Sequence, residues 1–141
     1  MQVHTCIVLL KGSKNMNNKR LGMDFEQEAC EILAKNGFWV HFLSPDNRGS
    51  QPFDIIAVKD GVALAMDCKT SSTRRFSVSR MEDNQKLAFQ KWRLCGNTEP
   101  HVLIKYKDQI LFIQYSVLEK NGVIDLESEW MQEDHVLCQM K

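Results

Sequence analysis

The amino-acid sequence predicts an α/β domain, a mixed five-stranded sheet flanked by helices, in the order helix, three strands, helix, two strands. Three observations lead there. Residues 22–35 and 81–94 each carry an apolar stripe at helical spacing. Asp60-Gly61 joins two apolar runs, the strongest short signal for a hairpin. Residues 101–106 and 109–115 form a second pair of strand-like runs that turn at Lys107-Asp108.

In chain order, residues 1–15 read as an N-terminal strand or flexible arm: Val3, Thr5, Ile7 and Leu9 alternate, and a polar, basic, Asn-rich stretch follows. The core is expected over residues 16–118. Its first helix has the stripe Phe25, Ala29, Ile32 and Leu33 and stops at Asn36-Gly37, where glycine accepts the left-handed turn. Residues 38–43 are a strand rich in aromatic and β-branched side chains, and residues 44–51 a loop marked by Pro45, Asp46, Asn47 and Gly49. The hairpin strands are 53–59 and 62–69, and polar, basic residues 70–80 read as a loop. The second helix presents Met81, Ala88, Trp92 and Cys95 on one stripe and ends at Gly96-Asn97. Residues 119–141 are an acidic C-terminal tail, with a short helix expected at 126–131.

A chain of 141 residues is one domain's worth, long enough to bury a sizeable core. Cys6, Cys30, Cys68, Cys95 and Cys138 are scattered and never spaced as CxxC, so they read as reduced, mostly buried thiols rather than a zinc site or disulfide framework. Neither a signal peptide nor a membrane span is read, and a cytoplasmic location is expected. Net charge is zero, but its distribution is uneven: residues 1–93 hold 14 Lys/Arg against 10 Asp/Glu, residues 94–141 hold 4 against 8. A local basic face, including Lys19, Arg20, Arg74, Arg75 and Arg80, can track phosphates; it can equally be a solvated surface.

The chemistry gathers on the hairpin. Side chains alternate along a strand, so Ala63, Ala65, Asp67 and Lys69 share one face and Leu64, Met66 and Cys68 the other. A two-residue turn at Asp60-Gly61 pairs Lys59 with Val62, which sets Asp54 opposite Asp67, with Phe53 and Ile55 pointing away from it. Carboxylates on directly opposed residues, with Cβ atoms about 5 Å apart, repel one another. A hard divalent cation, Mg²⁺ or Mn²⁺, resolves the conflict. Lys69 stands beside them, placed to hold or deprotonate a water. The bland alternative is a salt-bridge cluster at the end of a hairpin. Glu26, beside the first helix's stripe, is a candidate further ligand or an ordinary carboxylate near a helix start. Gln85 lies on the second helix's stripe and needs a polar partner, either this site or a core carbonyl.

These residues resemble a known motif. Asp54 after Pro52-Phe53, followed by Asp67-Cys68-Lys69, resembles the PD-(D/E)xK nucleases. Residues 18–26 (NKRLGMDFE), 52–56 (PFDII), 67–71 (DCKTS) and 84–96 (NQKLAFQKWRLCG) look like Holliday junction resolvases of the archaeal and RecU type, over roughly residues 16–115. The resemblance implies a restriction-endonuclease-like αβββαβ core and a Mg²⁺-dependent endonuclease. Asp54, Asp67 and the carbonyl of Cys68 would hold the metal, Lys69 would orient the attacking water, and Glu26 and Gln85 would complete the site. Phe53 interrupts the Pro-Asp pair, and Asp67 stands where Glu is commoner, shortening the reach by one methylene.

The implied partner is DNA, branched at a four-way junction in recombination and repair. Two strands to be cut symmetrically call for a homodimer, with Phe112, Tyr115, Val117 and Leu118 as the expected contact. Two other readings remain: a nuclease of this fold with another task (restriction, repair or RNA cleavage), and a non-catalytic nucleic-acid-binding protein that keeps the fold.

Overall fold

The computed structural model describes residues 25–43, 52–134 and 136–139. The expected N-terminal arm, the loop at 44–51, and Lys19 and Arg20 lie outside these residues.

Helix α1 (Phe25–Lys35) buries Phe25, Ala29, Ile32 and Leu33, the stripe read from its spacing. It ends as expected: Gly37 adopts φ +87°, and the amides of Gly37 and Phe38 turn back to the carbonyls of Ala34 and Leu33. Strand β1 (Trp39–Phe42) follows. Strands β2 (Ile55–Lys59) and β3 (Val62–Ser71) then form the hairpin. Asp60 and Gly61 both take positive φ, 52° and 78°, as a type I′ turn requires, and Lys59 pairs with Val62.

Residues 70–80 are not a loop. β3 runs on to Ser71, and a short strand β4 (Arg75–Ser77) and a 3₁₀ turn (Val78–Arg80) lead into helix α2 (Asp83–Leu94). The buried side chains of α2 are Gln85 and Phe89. Ala88 and Trp92 are half-buried, and Cys95, expected on the stripe, is exposed just past the helix end. Phe89 takes the central place because it meets Phe53 and Tyr115 edge-on or tilted, with ring centroids 5.9 and 5.1 Å away.

Strands β5 (His101–Tyr106) and β6 (Gln109–Gln114) form the second hairpin. The last segment is folded, with helix α3 (Tyr115–Asn121), strand β7 (Val123–Asp125), helix α4 (Glu129–Asp134) and strand β8 (Val136–Gln139). The short helix expected at 126–131 thus begins three residues later, and Ile124, Leu126 and Met131 are buried.

The five expected strands form one mixed sheet, and β8 adds a sixth at its edge, in the order β1-β2-β3-β5-β6-β8. Only β3 and β5 run parallel; α2 lies within the crossover such a pairing needs. The sheet separates two cores. Against α1 lie Ile55, Ala57, Leu64, Met66, Leu103 and Phe112. On the other face Ala65, Val102, Ile104, Leu111 and Ile113 pack with Phe53, Phe89 and the C-terminal elements, including the small β4–β7 sheet. Among the described residues no helix is long and apolar enough to cross a membrane. Cys30, Cys68 and Cys95 are free thiols; Cys68 is buried, Cys30 half-buried and Cys95 exposed.

Candidate active site

The β2–β3 ladder runs from Lys59↔Val62 to Ile55↔Met66, so Asp54 and Asp67 stand one step beyond its last pair. There the backbone breaks from regular strand. Phe53 and Ile55, two residues apart, fall into opposite cores rather than sharing a face as the alternation predicted. The chain bends at Asp54, and its carboxylate takes over a ladder contact: Cys68 donates its backbone N–H to Asp54 Oδ2 at 2.8 Å. The Asp54 amide meets the Met66 carbonyl at 3.1 Å, and Leu43 donates to the Asp54 carbonyl at 2.7 Å. Asp54 is therefore held at three points, although only its carboxylate was legible in the sequence.

Asp67 is fully buried and Asp54 nearly so. Asp67 Oδ1 accepts from Gln85 Nε2 at 2.9 Å. Its other oxygen, Oδ2, accepts no hydrogen bond, and the Lys69 ammonium lies 3.3 Å from it. Lys69 Nζ donates to Gln85 Oε1 at 3.0 Å. Burial first, then the neighbouring Asp54 charge, push the Asp67 carboxyl up to about 8, with Lys69 opposing the rise. A buried acidic group shifted this far makes the pair a candidate functional site.

The structure therefore assembles four of the predicted residues, Asp54, Asp67, Lys69 and Gln85. Gln85 turns out to serve the site rather than a core carbonyl. Glu26 stands apart, half-buried, bordering with Gln27, Cys30 and Phe42 a cavity of about 310 Å³. Its charge contributes to raising the thiols of Cys30 and Cys68, for which burial is the first cause and Asp54 the second. Among the described residues no three Asp, Glu, His or Cys side chains form a ready cation cage. The buried carboxylate of α1 is Glu28, two residues further along, which pairs bidentately with Lys105 Nζ at 3.0 and 2.8 Å. Nothing in local sequence could have found a partner 77 residues away.

Three of the candidate phosphate contacts are described. Arg75 is exposed. Arg80, also exposed, donates to the carbonyl of Thr70, the residue after Lys69, and lies over the Phe76 ring. Arg74 is exposed, but both its Nε and Nη2 bind Asp125, at 3.0 and 2.7 Å, so its charge is already matched. The expected dimer contact is not available, because Phe112, Tyr115 and Leu118 are buried within the chain and Val117 is half-buried. Phe112 packs on the α1 side of the sheet, and Tyr115 and Leu118 pack on the other side with the C-terminal residues Ile124, Leu126 and Met131.

Two buried carboxylates with a lysine two residues after the second, at the open end of a hairpin in a mixed sheet, make a candidate hydrolytic nuclease site. Comparison with known proteins gives that class a family. Residues 17–133 match the archaeal Holliday junction resolvase family (Hjc). The chain is 33% identical over 103 residues to the crossover junction endodeoxyribonuclease Hjc of Methanocaldococcus jannaschii, covering 73% of this chain and 72% of that protein. The solved structure of Hjc from Archaeoglobus fulgidus, a Holliday junction resolvase from an archaeal hyperthermophile, is similar with a TM-score of 0.60 and 20% identity, over 79% of this chain and 89% of the other. At that identity the likeness speaks for the fold. The chain belongs to the archaeal Holliday junction resolvase family of endodeoxyribonucleases.

Proposed function

We propose that this chain is a Mg²⁺-dependent resolvase of the PD-(D/E)xK type that cuts four-way DNA junctions as a homodimer, with Asp54, Asp67 and Lys69 as its catalytic residues. The observation that carries the metal reading is Asp67 Oδ2, a fully buried carboxylate oxygen without a hydrogen bond, beside a second buried carboxylate. A buried carboxylate oxygen without a hydrogen bond is costly. Hard oxygen donors in this setting suit Mg²⁺, with Mn²⁺ as substitute. Asp54 and Asp67, with the Cys68 carbonyl, would hold the ion, with Glu26 as a further ligand through water.

A bound divalent cation would polarise the scissile phosphate and lower the pKa of water. The protein's own residues do the rest. Asp54 is locked by the Cys68 amide, so its charge is in place before substrate arrives. Lys69 carries a positive charge on the same strand face as Asp67, where it orients the attacking water in line with the leaving oxygen. The neighbouring apolar residues Phe53 and Ala65, both buried, keep bulk water from competing.

A junction has two strands to cut, and two-fold symmetry supplies one site for each. Leu87 and Leu94, seven residues apart on α2, are exposed and offer a surface in place of the buried residues first expected. Arg75 and Arg80 flank the site on its β4 side and suit phosphate contacts. A DNA substrate and free thiols fit the expected cytoplasmic location.

The test is incubation with labelled four-way junction and linear duplex of equal length, with and without Mg²⁺, alongside light scattering. Symmetric nicks in the junction alone, requiring Mg²⁺, from a protein of twice the chain mass are expected. Equal cutting of duplex, or cutting in EDTA, would overturn the reading.

A further inference from the structure

The side chain of Gln85 uses both ends of its amide inside the site. Nε2 donates to Asp67 Oδ1 at 2.9 Å, while Oε1 accepts from Lys69 Nζ at 3.0 Å and from the backbone N–H of Glu82 at 3.1 Å. The last bond is the return half of a capping box, in which the third residue of a helix reaches back to the residue before its start. It fixes which end of the amide is which. The oxygen must face Glu82 and Lys69, so the NH₂ must face Asp67. A glutamine in an ordinary capping box has its NH₂ in solvent. Here Gln85 is buried, and that group is spent on a carboxylate 18 residues earlier in the chain.

We infer that Gln85 is a positioning residue that ties the start of α2 to the nuclease site, setting which oxygen of Asp67 stays bare and anchoring the Lys69 ammonium. Two consequences follow from the geometry. Engaging Oδ1 restrains the Asp67 carboxylate from rotating, and Oδ2 is the oxygen that would be open to a cation. Lys69 now sits between Asp67 Oδ2, 3.3 Å away, and Gln85 Oε1. With a cation at Oδ2 the ammonium would lose that partner and be repelled by the added charge. Gln85 Oε1 is then the acceptor that keeps Lys69 close to the scissile phosphate instead of letting its four-carbon stem swing into solvent. Displacement of a reacting group by about 1 Å can cost about 10²-fold in rate.

This inference rests on the assignment of Lys69 proposed above, and a double-mutant cycle separates the two. Single-turnover cleavage of labelled four-way junction in Mg²⁺ is measured for the wild type, Lys69→Ala, Gln85→Met and the double variant. Junction affinity in Ca²⁺ and melting temperature are measured for each. Gln85→Met keeps the side chain's length and removes both ends of the amide. It is expected to slow cleavage about 10- to 100-fold, to leave junction affinity in Ca²⁺ within about twofold, and to cost distinctly less in the Lys69→Ala background, where only the contact with Asp67 is left to lose. The Gln85→Glu variant retains acceptors for Lys69 and the Glu82 amide but cannot donate to Asp67 when ionised. It keeps the helix start intact and should fall between the wild type and Gln85→Met in rate.

An unchanged rate in Gln85→Met overturns the inference. So does an equal fold-loss with Lys69 intact and in the Lys69→Ala background, which would mean that Gln85 acts on folding or on Asp67 alone. If Gln85→Met melts too low to assay, the decision passes to Gln85→Glu: a wild-type rate there would sink the tie to Asp67. An undiminished rate in Lys69→Ala would instead remove the parent assignment, whatever Gln85 does.

Discussion

Strand β3 has two faces that differ by one residue of register and share almost nothing else. Leu64, Met66 and Cys68 point toward α1 and are sealed among apolar side chains. Ala65, Asp67 and Lys69 point toward α2, and there the apolar packing gives out after Ala65. The backbone pairing with β5 continues unbroken from Met66 to Ser71, through residues of both sets. The sheet is therefore stabilised by one face while the other accepts a cost, a buried carboxylate beside another carboxylate. A one-residue slip would exchange the two, which is why the Asp60-Gly61 turn matters to chemistry about 20 Å of strand away, at about 3.4 Å per residue. Separating the two faces experimentally is the sharpest way to examine the molecule.

The largest effect is expected at Asp54. Asp54→Asn is nearly isosteric, and its amide oxygen can still accept from the Cys68 N–H. Cleavage should fall below detection while junction binding is retained, because only the cation's charge partner is lost. A gel-shift assay beside a cleavage assay checks both. Substantial cleavage in this variant would mean the polar face is not the nuclease site.

Next comes pH. Asp67 has its folded carboxyl raised to about 8 from 3.8. A group whose folded pKa is raised contributes stability that is complete below the unfolded value and is lost as pH climbs through the folded one. Without divalent cation, then, the protein should lose stability from about pH 4 to about pH 8, by at most about 1.4 kcal/mol per unit for one proton. The Asp54 charge is the second cause of the rise after burial, so the loss should shrink in Asp54→Asn. Urea melts at several pH values, with EDTA and with excess Mg²⁺, read this directly. A cation-free protein that gains stability over that range contradicts the crowding of the two carboxylates.

Lys69→Ala should slow cleavage at least about 10²-fold, the scale of a lost acid–base or electrostatic group, with little change in melting temperature. A loss of only a few-fold would return Lys69 to the status of a strand-end cation.

Much of this contrast was legible in the sequence, for reasons that are local. The Asp-Gly turn dictates the pairing Lys59↔Val62, and the register then runs unbroken to Ile55↔Met66, which brings Asp54 and Asp67 together just past the end of the ladder. Gln85 stood out because a polar side chain on an apolar stripe must find a partner. What was not legible is nonlocal. The three-residue strands Arg75–Ser77 and Val123–Asp125 pair across 46 or more residues and are too short to carry a periodic signal. The pairing of Glu28 with Lys105 hides in an otherwise ordinary helix. Tyr115 and Leu118 looked available for a partner because nothing in the acidic tail announced that it would fold back on them; Ile124, Leu126 and Met131 of that tail are buried in the same core, while Phe112 is buried on the α1 side. The bend that sends Phe53 and Ile55 to opposite cores escaped alternation because regular strand begins only at Ile55.

That bend supplies the smallest and most discriminating test. Ile55 is adjacent to Asp54, proposed as catalytic, yet its side chain is fully buried on the α1 side of the sheet. If the two faces are energetically separate, trimming one methylene there should be felt by the fold and not by the chemistry. Ile55→Val is expected to cost about 0.5–1.5 kcal/mol in stability, with the single-turnover rate in Mg²⁺ unchanged within about twofold. The Ile55 backbone pairs with Met66, immediately before Asp67. A β-branched replacement preserves that strand geometry, so any loss of rate must travel through the packing. A rate loss of about tenfold or more at unchanged melting temperature would show that the apolar face tunes the carboxylates through Asp54 and Asp67, and the division into a supporting face and a working face would have to be abandoned.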